Sequence, residues 1–473
     1  MACSRAKKAA STVSWGVRAG EAVRIIATMH KTSCDTIIDA AWVLPIAPVN
    51  EALSRHSVCI QNERICAIGP TRDIHERYTA PALQSFNDSI VMPGLINGHT
   101  HAAMTLLRGA GEDMPLESWL RTCIWPLEKQ LVDPDFVTAG VELAIVEMLG
   151  HGITTFTDMY FFPEITARVA RAANIRTIAA FPIFDAQNAW SRNVDECFEL
   201  GFRLHDEYAQ DPLVSVAFGP HAPYSVDYKT LERVQMYAQE LGLNVHTHLH
   251  ETATEVTAAK ARHGRSWIAV LADIGLVNPQ LQAVHMTQLD DAEIELLAAN
   301  GAHVVHCPNS NLKLADGVCP VNRLDASGIN VAIGTDGAAS NNTLSVLSDA
   351  RTAALLAKMQ AENPVAGNAR QTLLKATLGG ARALGREHEL GTLEPGKLAD
   401  IAVFSPASLC AQPVYDPFAS LLHNSAAWRA DNVWVHGRSS MANGLPVHLD
   451  LAAIRARVDF QATRVRALLQ ENH

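Results

Sequence analysis

Between residues 90 and 335, eight short apolar runs alternate with stretches of helical periodicity, and this pattern constrains the fold more than any other feature. The runs are Ile90–Ile96, Ile153–Met159, Thr177–Phe184, Val214–Gly219, Leu243–Leu249, Leu281–Met286, His303–Cys307 and Val331–Thr335. Asp135–Leu149, Glu164–Ala173, Tyr228–Leu241 and Asp291–Ala299 carry amphipathic helical spacing between them. Strand-then-helix repetition calls for a parallel sheet, either an open doubly wound sheet or a closed (β/α)8 barrel. The count of eight, with polar residues after nearly every strand, favours the α/β TIM barrel.

Both ends read differently. From Cys34 to Ile90, and again from Gly396 to Gly437, short strand-like segments alternate with turn residues. Two β-rich ends flanking an α/β middle predict a small β-sandwich built from residues 31–91 and 388–448. The barrel is then expected over 92–387 and a C-terminal helix over 449–473. Leu451, Ile454, Val458 and Ala462 give that helix an apolar stripe. Residues 1–30 carry Arg5, Lys7, Lys8 and Arg18 without a continuous apolar run, so they read as a disordered tail and not a secretory signal. Translation starting at Met29 is a related expectation.

Composition excludes several classes. The chain has 473 residues, 48% hydrophobic and 18% charged, with a net charge of −11, which argues against a polyanion partner such as nucleic acid. No apolar stretch reaches the length of a membrane span. Nine scattered cysteines without a C-x-x-C fit reduced thiols and a cytoplasmic setting.

Chemistry-bearing residues gather where the barrel reading puts strand ends, the active-site face of such a barrel. His99 and His101 follow the first strand. His246, His248 and His250 share one face of the fifth by its two-residue period, His285 ends the sixth, and Asp336 follows the eighth. Three histidines and a carboxylate suit zinc or a similar divalent ion. Spacing alone leaves His246 and His248 as alternative ligands. Binuclear barrel hydrolases commonly need a modified lysine from the fourth strand; Val214–His221 has none, so a single metal is expected.

The chain resembles the amidohydrolase superfamily from about Asp35 to Gly444. The shared signatures are Pro-Gly-x-Ile-x-x-His-x-His at 93–101 and Gly-Thr-Leu-Glu-Pro-Gly-Lys-x-Ala-Asp at 391–400. More narrowly it is similar to the 5-methylthioadenosine/S-adenosylhomocysteine deaminases. That likeness rests on residues 114–120, 124–128, 219–224, 248–251, 306–314 and 334–342. The resemblance implies metal ligation, most simply of zinc, by His99, His101, His248 and Asp336. It further implies Glu251 as proton donor to a purine ring, His285 orienting the attacking water, Asp336 also taking that water's proton, Glu128 and His221 contacting the nucleoside, and Trp119 walling the pocket. It also implies a homo-oligomer.

The expected reaction is hydrolytic deamination of an adenosine-type nucleoside at C6. The third strand's exit, Phe181–Asp185, is apolar, with Arg192 the only cation near it. That predicts 5′-methylthioadenosine over S-adenosylhomocysteine, whose carboxylate needs cationic partners; adenosine is a further candidate. Competing readings are a guanine or 8-oxopurine deaminase, a chloro-triazine hydrolase, and an inactive barrel scaffold, which would lack metal ligands. His205-Asp206-Glu207 spells the H-x-E of a nucleic-acid deaminase, but no P-C-x-x-C accompanies it, so it reads as a solvated helix face.

Overall fold

A computed structural model describes residues 31–471; the expectations for the first 30 residues lie outside the described part. Its centre is a parallel eight-stranded sheet in sequence order. The barrel strands are β1 (Leu95–Thr100), β2 (Ile153–Asp158), β3 (Arg176–Ile183), β4 (Val214–Pro220), β5 (Val245–Leu249), β6 (Leu281–His285), β7 (His303–His306) and β8 (Val331–Ile333). The seam between β8 and β1 is held at the strand ends. The Thr335 and Asp336 N–H groups both donate to the His99 carbonyl, at 3.1 and 3.0 Å. The Asn97 amide brackets Thr335, donating to its hydroxyl at 2.7 Å and accepting its N–H at 3.0 Å. Gly334 permits this approach, since a Cβ there would lie 2.9 Å from the His99 nitrogen.

Helices return the chain between strands and carry strong end signals. Asp227 caps the helix Tyr228–Leu241, which stops at a left-handed Gly242. Asp290 and Glu293 form a reciprocal capping box on Asp291–Asn300. His205 lies on the helix Val194–Tyr208, as a solvated helix face would have it.

Strands from both chain ends form a second, eight-stranded sheet. The N-terminal strand Ala82–Pro93 pairs antiparallel with the C-terminal strand Ile401–Pro406. A bridge between Arg64 and Leu398 brings the sheet's outer edge back toward its middle, so the sheet encloses its own core of Ile38, Val58, Ile65, Val91 and Val403. The final helix, Leu451–Glu471, lies on Pro134–Gly150, where Arg457 meets Glu142 at 2.8 Å and Arg464 meets Asp133 at 3.1 Å.

One expectation needs correction. The run Ile90–Ile96 is not one barrel strand. Ile90–Pro93 ends a strand of the second sheet, and the barrel begins at Leu95. Gly94 is the crossing point: its N–H donates to the Asp400 carbonyl at 2.9 Å, and a Cβ there would fall 2.1 Å from the Thr154 side chain.

Asp400 also joins the two sheets through its side chain. It accepts from the guanidinium of Arg176, at the start of β3, at 3.2–3.3 Å, and from the His436 N–H at 2.8 Å. Arg176 is fully buried. Removing one partner of such a pair strands the other charge, at a cost of about 3–5 kcal/mol. Asp400→Ala is therefore expected to lower the midpoint of urea denaturation strongly; an unchanged midpoint would rule out this bridge as a structural tie.

Candidate active site

At the C-terminal mouth of the barrel, His99, His101, His248, His285 and Asp336 converge. Two overlapping groups, His99–His101–His248 and His99–His285–Asp336, each have ligand atoms within 4.8 Å of one another. Both contain His99, so they describe one centre. Asp336 Oδ1 lies 3.3 Å from Nε2 of His99 and 3.3 Å from Nε2 of His101, and His248 Nε2 lies 3.3 Å from His99 Nε2.

Hydrogen-bond partners decide which ring nitrogens are free. His101 Nδ1 donates to the Met159 carbonyl at 2.6 Å, and His248 Nδ1 donates to the His221 carbonyl at 2.8 Å. A carbonyl only accepts, so each Nε2 is left as a bare lone pair. Burial holds His99 and His248 well below the ordinary imidazole range, so they are neutral. In their neutral form these rings turn lone pairs toward the Asp336 carboxylate in a largely buried space. This donor set fits a divalent cation of the zinc type.

Asp336 sits on a left-handed backbone (φ 60°). Its Oδ2 accepts from the hydroxyls of Ser310 at 2.6 Å and Ser340 at 3.0 Å. Burial alone would raise this carboxyl, but the imidazole of His99, and after it those of His101 and His285, favour its ionised form and hold it well below the usual carboxylate range.

Glu251 lies beyond β5, 3.4 Å from His285 Nε2. Burial first, then the nearby Asp316, Asp336 and Glu255, push its carboxyl well above the usual range. Its backbone is fixed from two sides. Glu255 accepts the N–H groups of His250 and Glu251 at 2.9 and 2.8 Å, and Thr287 donates to the Glu251 carbonyl at 2.6 Å. Asn311 Nδ2 donates to His285 Nδ1 at 3.0 Å, which places the remaining ring proton on Nε2.

A cleft of about 630 Å³ opens from this cluster. Glu128, Trp119 and His221 are among the residues that line it. Tyr160 donates to Glu128 at 2.7 Å; burial pushes this carboxyl up to about 7, opposed by the Tyr160 bond and by His101. Trp119 is buried and donates to the Ala110 carbonyl at 3.2 Å. His221 stacks on Phe184, with centroids 4.6 Å apart.

Of the site residues expected from sequence, His101, Trp119, Glu128, His221, His248, Glu251, His285 and Asp336 line this cleft, and His99 joins them through the ligand cluster. His250 does not share the face of His246 and His248. Its left-handed backbone (φ 51°) ends the two-residue alternation and turns its ring to the Gln288 carbonyl. Arg192 does not reach the cleft; it pairs with Glu196 at 2.7 Å in solvent, and the lining cation is Arg121. Tyr160, Asn311 and Glu255 were not foreseen. The Thr252-x-x-Glu255 capping pattern was the available signal for Glu255, whose N–H bonds the Thr252 hydroxyl.

A profile of the amidohydrolase family matches residues 90–444. The chain belongs to the amidohydrolase family. It is 46% identical over 408 residues to a 5-methylthioadenosine/S-adenosylhomocysteine deaminase of Teredinibacter turnerae, covering 86% of this chain and 92% of that one. Its fold matches a crystal structure of an adenosine deaminase from Xanthomonas campestris with bound zinc, at TM-score 0.90 and 43% identity, covering 92% of this chain and all of that one. A zinc complex of atrazine chlorohydrolase from Arthrobacter aurescens superposes at TM-score 0.81 with 25% identity, covering 90% of this chain and 100% of that one. The family's barrel and added sheet are the architecture described above.

A cation that binds only the folded state stabilises it, by about 2.7 kcal/mol at a hundredfold excess over Kd. Zinc added to metal-free protein is expected to raise its thermal midpoint, and His101→Ala to abolish the rise. An equal rise in that variant would place the cation elsewhere.

Proposed function

We propose that the chain is a metal-dependent hydrolase that deaminates adenosine-type nucleosides at C6 and releases ammonia, with 5′-methylthioadenosine as its preferred substrate. The observation that carries this reading is the buried Glu251, 3.4 Å from His285 Nε2 beside the ligand cluster, in a cleft that Glu128 also lines. The activities of the similar proteins support the same reaction class.

His99, His101, His248 and Asp336 are the residues that would hold one zinc ion. A divalent cation bound there lowers the pKa of water to about 7, which makes a nucleophile available at neutral pH. Asp336, ionised and anchored by two serine hydroxyls, accepts the proton that water loses. His285 presents its Nε2–H and orients the water toward C6. Glu251 gives its proton to ring N1, so the ring can take up electron density as the new C–O bond forms. The proton held by Asp336 passes to the exocyclic nitrogen, the C6–N bond breaks as the new C6 hydroxyl gives its proton back to Glu251 and becomes the carbonyl, and ammonia leaves. Glu128 accepts from the ribose hydroxyls, His221 contacts the nucleoside and Trp119 walls the purine end.

The 5′ end of the cleft supports the substrate preference. Phe161 and Phe184 lie there with ring centroids 6.0 Å apart. Arg121, the lining cation, is already engaged by Glu117 at 3.0 Å. An apolar end suits a methylthio group better than a carboxylate. The implied homo-oligomer and cytoplasmic setting belong to the same reading; the unpaired state of all eight described cysteines suits that setting.

Ultraviolet assay of 5′-methylthioadenosine, S-adenosylhomocysteine and adenosine is expected to rank the first highest in kcat/KM; a preference for S-adenosylhomocysteine would overturn the substrate assignment. Glu251→Gln is expected to lower kcat by roughly 10²–10⁴-fold, the usual worth of a general acid. Glu128 adds a pH signature. Only its ionised form accepts two ribose hydroxyls, so KM for a ribonucleoside should rise as pH falls below about 7. A 2′,3′-dideoxy substrate should show a flat KM over the same range, and a parallel rise for both would exclude Glu128 as the ribose contact.

A further inference from the structure

His101 and His248 have backbone carbonyls to fix their ring protons, whereas His99 does not. Its Nδ1 lies 2.7 Å from Nε2 of His246, another imidazole, which could equally donate or accept. If His246 donated, the proton of His99 would sit on Nε2, 3.3 Å from Asp336, and the carboxylate would be satisfied without any cation. Something further along must choose.

His246 Nδ1 lies 2.8 Å from Oε1 of Gln282, and Gln282 Nε2 donates at 2.7 Å to the backbone carbonyl of Ala383, in the helix Gly380–Ala383. That carbonyl also receives the Asn244 amide at 3.5 Å. His99, His246 and Gln282 are all fully buried or within 1% of it, so the three links run through the barrel interior away from water.

We propose that His246 and Gln282 are positioning residues that set the proton on His99 through the Ala383 carbonyl. A carbonyl oxygen cannot donate. Gln282 must therefore turn its NH2 toward it and its oxygen toward His246. His246 must then carry its proton on Nδ1 and accept at Nε2, and His99 must donate from Nδ1. Each step follows from the one before, and Nε2 of His99 is left bare before any cation arrives. The direction of the whole chain is set three hydrogen bonds away from the ligand it prepares. This inference rests on the reading of His99 as a ligand, and its test separates the two.

Neutron diffraction from deuterium-exchanged, metal-free wild-type protein reads the chain directly. Deuterons are expected on Nδ1 of both His99 and His246, and a deuteron on Nε2 of His99 would overturn the proposal whether or not the site binds zinc. Zinc titration of wild-type protein against a chromophoric chelator tests the ligand reading itself. Gln282→Met keeps the bulk of the side chain but neither accepts nor donates. It is expected to weaken zinc binding about 10–100-fold, as loss of a partner behind a ligand does. A folded Gln282→Met protein that binds zinc as tightly as wild type would refute the proposal. Should that variant fail to fold, the wild-type deuteron positions decide alone.

Discussion

The site depends on one unfavourable arrangement: imidazole lone pairs and a carboxylate oxygen aimed at each other across about 3.3 Å, with His99, His248 and Asp336 buried and His101 partly so. Electron-rich atoms that face one another without a donor between them are costly to bury. They stay in place because each ring is held from behind. Met159, beyond β2, holds His101; His221, beyond β4, holds His248; and β5 itself holds His99 through His246. The exits of alternate strands therefore serve twice, once to carry chemistry into the cleft and once to aim a neighbour's ligand. A barrel supplies this arrangement naturally, because successive parallel strands deliver their ends to one ring.

Burial acts on all the carboxyls here in the same direction, yet they end in different states. Asp336 is held ionised because imidazoles and hydroxyls face it. Glu251 has carboxylates as its charged neighbours and keeps its proton. Glu128 falls between, since one tyrosine hydroxyl offsets part of its desolvation. Acid and base are thus separated by environment and not by residue type, the pattern expected where one pocket must both remove and deliver protons near neutral pH.

What was legible in the sequence was whatever obeys a short period or a shared motif. The barrel strands show because apolar runs end in polar residues, and His99, His101, His248, His285 and Asp336 stand at those ends. What was not legible depended on partners distant in the chain. Ile90–Pro93 looks like the beginning of the first barrel strand because its apolar character is the same in either sheet; only pairing with Ile401–Pro406 assigns it. His250 fits the two-residue alternation on paper, but a single left-handed residue breaks it. Tyr160 and Asn311 gain their importance from Glu128 and His285, which no local pattern connects to them. Arg192 was near in sequence to the 5′ end, yet its i,i+4 partner Glu196 keeps it in solvent.

The sheet made from both chain ends then has a mechanical reason to exist. Its strand Ala82–Pro93 runs into β1 through Gly94, and Asp400 from its C-terminal half grips that crossing by its carbonyl while its carboxylate grips Arg176 at the start of β3. One residue therefore fixes where two barrel strands begin. In a strand, a slip of one residue exchanges the two faces. For β1 such a slip would swing His99 out of the cluster and put Gly98 or Thr100 in its place. The register of His99 and His101 at the barrel's mouth is thus held at its opposite end, by the Gly94–Asp400 backbone bond, beside a buried ion pair that takes no part in the chemistry.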